Sequence, residues 1–280
     1  MFKHNTALRN CTFLAVLLAV STSSHAGTIY RFNGSLFDTV PGSLSQISVG
    51  ADGAAWGVNA KQQVFRQVGG SRFVQVPGSL SQISVGNASA VWGVDGNSAV
   101  YRFDGSKLVS VAGSLAQVSV GADGTVWGVN DSQQVFRYNP NSRLFENVAG
   151  SLTSVSVGSA SAVWGINNGQ AYRYNPATRL LVLVPGKYSA ISVGADGSAW
   201  AVDGGGQVYR YNAGTRLLQF VSGNLTGIAT GGGNNVWGVD GQSRVFRLQG
   251  SNFVQVPGTM GQVDAGGSAT GSEAAWGVGP

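Results

Sequence analysis

The sequence is poor in the residues from which most active sites are built. Its 280 residues hold one cysteine and two histidines, and only 10% of them are charged. All three of those Cys and His residues, His4, Cys11 and His25, lie at the N-terminal end. There Lys3 and Arg9 form a short basic head, and Cys11–Val20 (CTFLAVLLAV) is a ten-residue apolar run. A polar Ser21–Ser24 tract then leads to Ser24-His25-Ala26, a small-x-small pattern ahead of Gly27. The run is too short to cross a bilayer and has the layout of a secretory signal peptide. It predicts cleavage after Ala26 and a secreted protein, extracellular or periplasmic; a retained N-terminal anchor is the alternative. Residues 1–26 are thus read as signal and 27–280 as one domain.

Loss of that segment removes every Cys and His. A Ser-His-Asp triad, a cysteine nucleophile, a His-ligated metal and a disulfide are then all excluded. The only glutamates are Glu146 and Glu273. No catalytic residue, cofactor or metal is expected, and the chain reads as a non-enzyme. Without Lys3 and Arg9, 15 basic residues face 12 acidic ones, a net charge of +3. That is too weak for a nucleic-acid footprint.

What the chain has in quantity is glycine, 43 residues, and a repeat. All seven tryptophans form one series: Trp56, Trp92, Trp127, Trp164, Trp200, Trp237 and Trp276. A second series pairs an aromatic with arginine at Arg31, Arg66, Arg102, Arg137, Arg173, Arg210 and Arg247. Both recur about every 36 residues, the length of one propeller blade. In the unit Pro41–Val76, Leu44–Gly50 (LSQISVG) reads as a first strand and Ala51-Asp52-Gly53 as a turn. Ala54–Asn59, Gln62–Gln67 and Phe73–Val76 read as the next three strands, and Pro77-Gly78 as the end of the unit. The small residues Ser48 and Gly50 place strand one at the channel and FVQV at the rim.

The ends complement each other. Thr28–Phe32 and Leu36–Val40 match strands three and four, and Trp276-Gly277-Val278 matches strand two. Joining them closes a ring and leaves no unpaired edge. The fold predicted is all-β: a propeller of four-stranded antiparallel blades, seven with a composite last blade, six being the alternative. The turn after strand one also alternates: Asp52, Asp123 and Asp196 sit in Ala-Asp-Gly turns, while units between them carry Asn87-Ala88-Ser89 and Ser159-Ala160-Ser161.

Each repeated residue has a structural and a functional reading. The tryptophans are core, with the following glycine leaving room for an aromatic of the adjoining blade, or else stacking platforms for sugar rings. The arginines stack on tryptophan or bind a carbonyl of the next blade, or else grip sugar hydroxyls or a carboxylate. After strand two stand Asn59, Asp95, Asn130, Asn167, Asp203 and Asp240, suited to turns and to sugar hydroxyls. Candidate ligand-binding residues are these six together with Arg66, Arg102, Arg137, Arg173, Arg210 and Arg247. Between strands three and four, Arg72, Lys107, Arg143, Arg179 and Arg216 make a basic series in consecutive blades. These turns are expected to share a face with the Asp-bearing turn: a mixed-charge solvated rim, or a site for acidic glycans.

The string from Pro77-Gly78-Ser79-Leu80-Ser81-Gln82-Ile83-Ser84-Val85-Gly86 through Val91-Trp92-Gly93-Val94-Asp95 to Val100-Tyr101-Arg102 resembles a tectonin repeat. The likeness recurs in every unit over Thr28–Pro280. It implies a β-propeller lectin of innate recognition that binds bacterial lipopolysaccharide or O-methylated glycans. The chain departs from the six blades familiar in that family, and no particular sugar-contact residue matches. The expected protein is thus a secreted, multivalent binder of cell-surface glycans, without nucleic-acid partners and without membrane insertion once the signal is removed. A protein-interaction scaffold that binds no sugar is the alternative.

Overall fold

The computed structural model describes residues 27–267 and 274–280. The expected signal segment and the turn of the composite blade, with Glu273, lie outside them. Among the described residues every regular element is a β-strand, and the strands form seven four-stranded antiparallel sheets. Blade one runs through Gln46–Val49, Ala55–Val58, Gln63–Val68 and Arg72–Ser79. Blade two follows as Gln82–Asn87, Ala90–Val94, Ala99–Phe103 and Leu108–Ser114, and blade three as Gln117–Val120, Val126–Val129, Gln134–Asn139 and Leu144–Ser151. Blade four comprises Ser154–Ser159, Ala162–Asn167, Gln170–Asn175 and Leu180–Val184. Blade five comprises Ala190–Val193, Ala199–Val202, Gln207–Asn212 and Leu217–Asn224. Blade six comprises Gly227–Gly232, Asn235–Val239, Arg244–Gln249 and Asn252–Thr259.

Blade seven is assembled from both ends of the chain. Gln262–Gly266 and Ala274–Val278 supply its inner strands, and Gly27–Phe32 and Phe37–Leu44 its outer ones. Ile29, Tyr30 and Arg31 pair with Val278, Gly277 and Trp276, which closes the ring as the matched termini require.

Strand four is longer than the sequence pattern suggests. In blade one Pro77-Gly78 does not end it: pairing breaks after Val64–Val76 and resumes at Gln63–Ser79. Proline has no N–H to offer a ladder, and Gly78 takes a φ of 130°, so the two together form a bulge. The same break recurs in every blade except blade four.

Blades are joined by three layers of contact. Deep between them, each tryptophan is at most 6% exposed and meets an aromatic of the next blade. Trp56–Phe103, Trp92–Tyr138, Trp127–Tyr174, Trp164–Tyr211 and Trp237–Phe32 are edge-on pairs with centroids 4.6–4.8 Å apart. That partner is the residue after the repeated arginine. Blades one and six carry Gln67 and Leu248 there instead, and Phe73 and Phe253 from strand four meet Trp276 and Trp200. Burial of each indole contributes about 4–6 kcal/mol at most. The glycine that follows six of the seven tryptophans serves a different purpose from the one expected. A Cβ at Gly57, Gly93, Gly128, Gly165 or Gly238 would run into the leucine just before strand one of its own blade and into a backbone carbonyl. The space is for Leu44, Leu80, Leu115, Leu152 or Leu225, not for a neighbouring aromatic.

Nearer the axis, glutamine clamps one inner strand to the next. Gln46 donates from Nε2 to the Ile83 carbonyl and accepts the Ile83 N–H at Oε1, both at 3.0 Å. Gln82, Gln117 and Gln262 grip Val118, Val155 and Ile47 in the same way. Blades four, five and six have Ser154, Ala190 and Gly227 at this position. The clamps therefore run from blade seven through blades one, two and three to blade four and stop there.

One layer further along the channel, serine takes over. Ser48, Ser84, Ser119, Ser156 and Ser192 each accept the backbone N–H of the next inner strand at 3.0–3.1 Å. Blade six has Ala229 and blade seven Asp264. Asp264 Oδ2 accepts the Val49 N–H at 2.8 Å, continuing the belt, while Oδ1 accepts the Ala265 N–H, which Ala229 has no oxygen to receive. One carboxylate thus does the work of two serines.

The alternating turns also have a physical reason. Asp52, Asp123 and Asp196 accept a backbone N–H from the turn of the following blade, at Ala88, Ala160 and Gly233. Burial alone would raise Asp123 and Asp196, but the Ala160 N–H at Asp123 and the Ser198 hydroxyl at Asp196, followed by the other N–H groups of the two turns, hold both below the usual carboxylate range.

Candidate functional site

Antiparallel order puts the turns after strands one and three on one face and those after strand two on the other. The basic series therefore shares its face with Asp52, Asp123 and Asp196, whereas Asp95, Asp203 and Asp240 lie on the opposite face. Five of the six Asn and Asp residues after strand two are committed by their side chains to their turns. Oδ1 of Asn59, Asp95, Asp203 and Asp240 each accepts two backbone N–H groups two and four residues on. Asn130 accepts that of Gln134; Asn167 pairs with Gln170 through its backbone, and its buried Oδ1 has no hydrogen-bond partner. Burial tends to raise Asp240, but the Arg244 guanidinium, 2.6 Å away, and turn N–H groups hold it low.

The arginines stand opposite the tryptophans on strand three, pair by pair, from Trp56–Arg66 to Arg31–Trp276. Arg210 lies over Trp200 at 5.4 Å, Arg66 over Phe103 of the next blade at 5.7 Å, and Arg247 over both Trp237 and Phe32. Arg31 also donates to the Gly70 carbonyl of blade one at 3.0 Å. Arg102 and Arg137 keep the same cross-strand position. These contacts are the packing roles foreseen for arginine, and they spread the residues around the ring rather than gathering them.

One seam differs. Between blades four and five a groove of about 480 Å³ opens at the rim. Arg173, Asn175, Pro176 and Val182 line one wall, and Tyr211, Thr215, Arg216 and Leu217 the other. The Arg173 guanidinium lies 5.5 Å from the Tyr211 ring centroid and reaches its hydroxyl at 3.4 Å. Tyr211 is backed in turn by Trp164. Leu180, Val182, Leu183, Leu217 and Phe220 are 43–59% exposed around it. A second recess of about 390 Å³ lies on the same seam, between Thr153, Asn168, Lys187 and Tyr188.

The local sequence explains the opening. Where other blades continue from the bulge into Ser-Leu or a close equivalent, blade four reads Pro185-Gly186-Lys187-Tyr188. The Tyr188 ring takes the place of the leucine, and its hydroxyl donates to the Pro185 carbonyl at 3.1 Å. Its strand four consequently ends at Val184 and does not re-pair with Gln170. Facing it, Ala201 stands where the other blades have glycine. Burial raises the Tyr188 hydroxyl pKa, with Tyr209 and Asp203 adding to the shift.

Arg216 is held in position by its backbone. It closes the turn Asn212–Arg216 at a φ of 57°, with its N–H on the Asn212 carbonyl at 2.8 Å. Blades three and four use the same turn at Arg143 and Arg179. Of the twelve residues expected to bind ligand, only Arg173 lines the groove. Tyr211, Pro176, Thr215, Val182 and Leu217 were not foreseen. The signal for them was the break at Lys187-Tyr188, visible beside Ala201. Among the described residues no cluster of His, Cys, Asp and Glu could hold a metal ion, and no helix is long and apolar enough to cross a membrane.

The model of the tectonin domain matches residues 18–178 and 170–249. The chain belongs to the tectonin family. A curated relative, Tectonin-1 of Physarum polycephalum, is 44% identical over 43 residues, 15% of this chain and 20% of that one. The match spans about a fifth of the relative's length. Among solved structures, one titled "YCF48 bound to D1 peptide" superposes with a TM-score of 0.60 at 12% identity, covering 91% of this chain and 93% of the other. PorZ, described as an essential bacterial surface component of the type-IX secretion system of Porphyromonas gingivalis, also gives 0.60, at 10% identity over 81% of this chain and 34% of its own. These two likenesses establish the propeller. The tectonin family includes lectins.

Proposed function

We propose that this tectonin propeller is a secreted lectin that recognises glycans of a cell surface, such as O-methylated sugars or lipopolysaccharide, and that it is not an enzyme. The observation that carries the reading is the groove between blades four and five. A sugar offers apolar C–H faces and a rim of hydroxyls. Val182, Pro176, Leu217 and the Tyr211 ring offer the first a surface, and Arg173, Asn175 and Thr215 offer the second donors and acceptors. The groove lining holds no His, Cys, Asp or Glu, which supports binding over acid–base or nucleophilic catalysis there. A glycan array that includes methylated sugars and lipopolysaccharide tests the proposal. Retention of a defined set of glycans is expected; binding to nothing across the panel sinks it.

The scaffold reading draws on one observation, the exposed apolar outer strand Leu180–Val184. Capture of a defined protein partner that competing sugars do not displace would favour it over the lectin.

A further inference from the structure

We infer that the ring carries one principal site, at the seam of blades four and five, and that its ligand is a saccharide bearing an anionic group beside an apolar substituent. This rests on the lectin reading and narrows it.

The argument starts from what faces the repeated arginine across strands three and four. In blade seven that residue is Asp38, paired with Arg31, and in blade three it is Glu146, paired with Arg137. Both carboxylates also accept from an asparagine, Asn33 and Asn139. Blade five has Gln219 opposite Arg210, likewise joined to Asn212. Valine stands there in the remaining four: Val74, Val109 and Val254 opposite Arg66, Arg102 and Arg247 in blades one, two and six, and in blade four Val182 opposite Arg173. The guanidinium there has an aromatic hydroxyl beside it and no carboxylate across the strand.

The facing wall brings a second cation. Arg216 comes from the five-residue turn of blade five. The next seam, between blades five and six, has Gln249-Gly250-Ser251-Asn252 in that position, with no charge. At the preceding seam, between blades three and four, Arg179 faces the wall that contains Glu146. The groove lining thus holds two arginines, no aspartate and no glutamate, over a floor of valine, leucine and proline. Such a site favours an anion, since a guanidinium fork binds carboxylate, phosphate or sulfate oxygens through charge-assisted hydrogen bonds. The valine and leucine faces take an adjacent methyl, acetyl or acyl group.

Strand four re-pairs beyond the bulge in the other six blades and stops short of it in blade four, at this seam. On this inference one principal groove, where strand four does not re-pair, takes the place of similar shallow sites on every blade.

The test is titration calorimetry of the processed chain with four tetrasaccharides: a galacturonate, a sulfated heparin fragment, a mannose phosphorylated at its end, and neutral maltotetraose. At least one acidic probe is expected to bind about tenfold or more tightly than the neutral one, as one charge-assisted contact warrants. Which of the three binds separates carboxylate, sulfate and phosphate as the source. The expected stoichiometry is near one per ring, with affinity falling as salt rises. Arg216→Asn is the decisive variant, because asparagine tolerates the left-handed backbone while removing the charge; a loss of about tenfold is expected. Arg143→Asn, in the equivalent turn of blade three and outside the groove, should leave affinity within twofold. Neutral sugar bound as tightly, a stoichiometry near seven, or an Arg216→Asn variant of full affinity would each overturn the inference. If only neutral sugars on the array bind, this inference falls and the lectin stands. If none binds, both fall.

Discussion

The two halves of the ring are built from one repeat but are held differently. From blade seven through blade three, each inner strand grips the next with a buried glutamine that satisfies both a carbonyl and an N–H. From blade four through blade six the glutamine is absent, and there the rim groove, the second recess and most of the exposed apolar side chains occur. The regular half is bonded strand to strand by buried side chains. The irregular half carries the groove.

The largest expected effect lies in the regular half. Gln82→Ala would orphan a buried carbonyl and N–H at once and cost about 2–4 kcal/mol. Ser154→Ala, the same position in the other half, should cost less than about 1 kcal/mol. Urea unfolding of the two variants measures the difference; equal losses would mean that the clamps do not divide the ring.

A somewhat smaller effect is expected where the halves meet at Asp264. Burial pushes this carboxyl up to about 7, against the lowering pull of the Val49 and Ala265 N–H groups and the Ser48 hydroxyl. No charged or titratable side chain stands on the strands packed against it, Gln46–Val49, Gly227–Gly232 and Ala274–Val278. The folded ring therefore holds the proton more tightly than the unfolded chain. The contribution of Asp264 to stability is full below about pH 4 and is lost as pH rises through about 7. Asp264→Ser leaves the Ala265 N–H without an acceptor, a loss of about 1–3 kcal/mol when measured near pH 5. Adding Ala229→Ser restores the missing rung, so the pair should be less than additive, by about 1 kcal/mol, and should flatten the pH dependence. Thermal melts across this pH range decide it; strict additivity would show that the two positions do not share the rung.

The frame was legible in the sequence because its signals repeat. Seven tryptophans opposite seven arginines fix the period, and Thr28–Phe32 and Trp276 announce the shared blade. What escaped was contact geometry between blades. Glycine after tryptophan gave no hint that its neighbour was Leu44 or Leu80 rather than an aromatic, because a missing side chain does not say what fills its space. The candidate site was missed for the opposite reason. Averaging over repeats points to residues present in every blade, such as Asn59 or Arg66, which the ring uses for turns and stacking. The groove follows from one departure, Tyr188 in place of leucine, whose effect on strand pairing shows only once Val184 is seen to end its strand.

The smallest effect on stability should accompany the largest effect on binding. Restoring the regular pattern with Tyr188→Leu and Ala201→Gly lets strand four of blade four re-pair and narrows the seam, with a stability change within about 1 kcal/mol. Calorimetric titration of this double variant, against the acidic tetrasaccharide that the unmodified chain binds, is the most direct test that departure from the repeat makes the site. Binding lost from a ring that melts as before is the result predicted. Binding of undiminished affinity would contradict it.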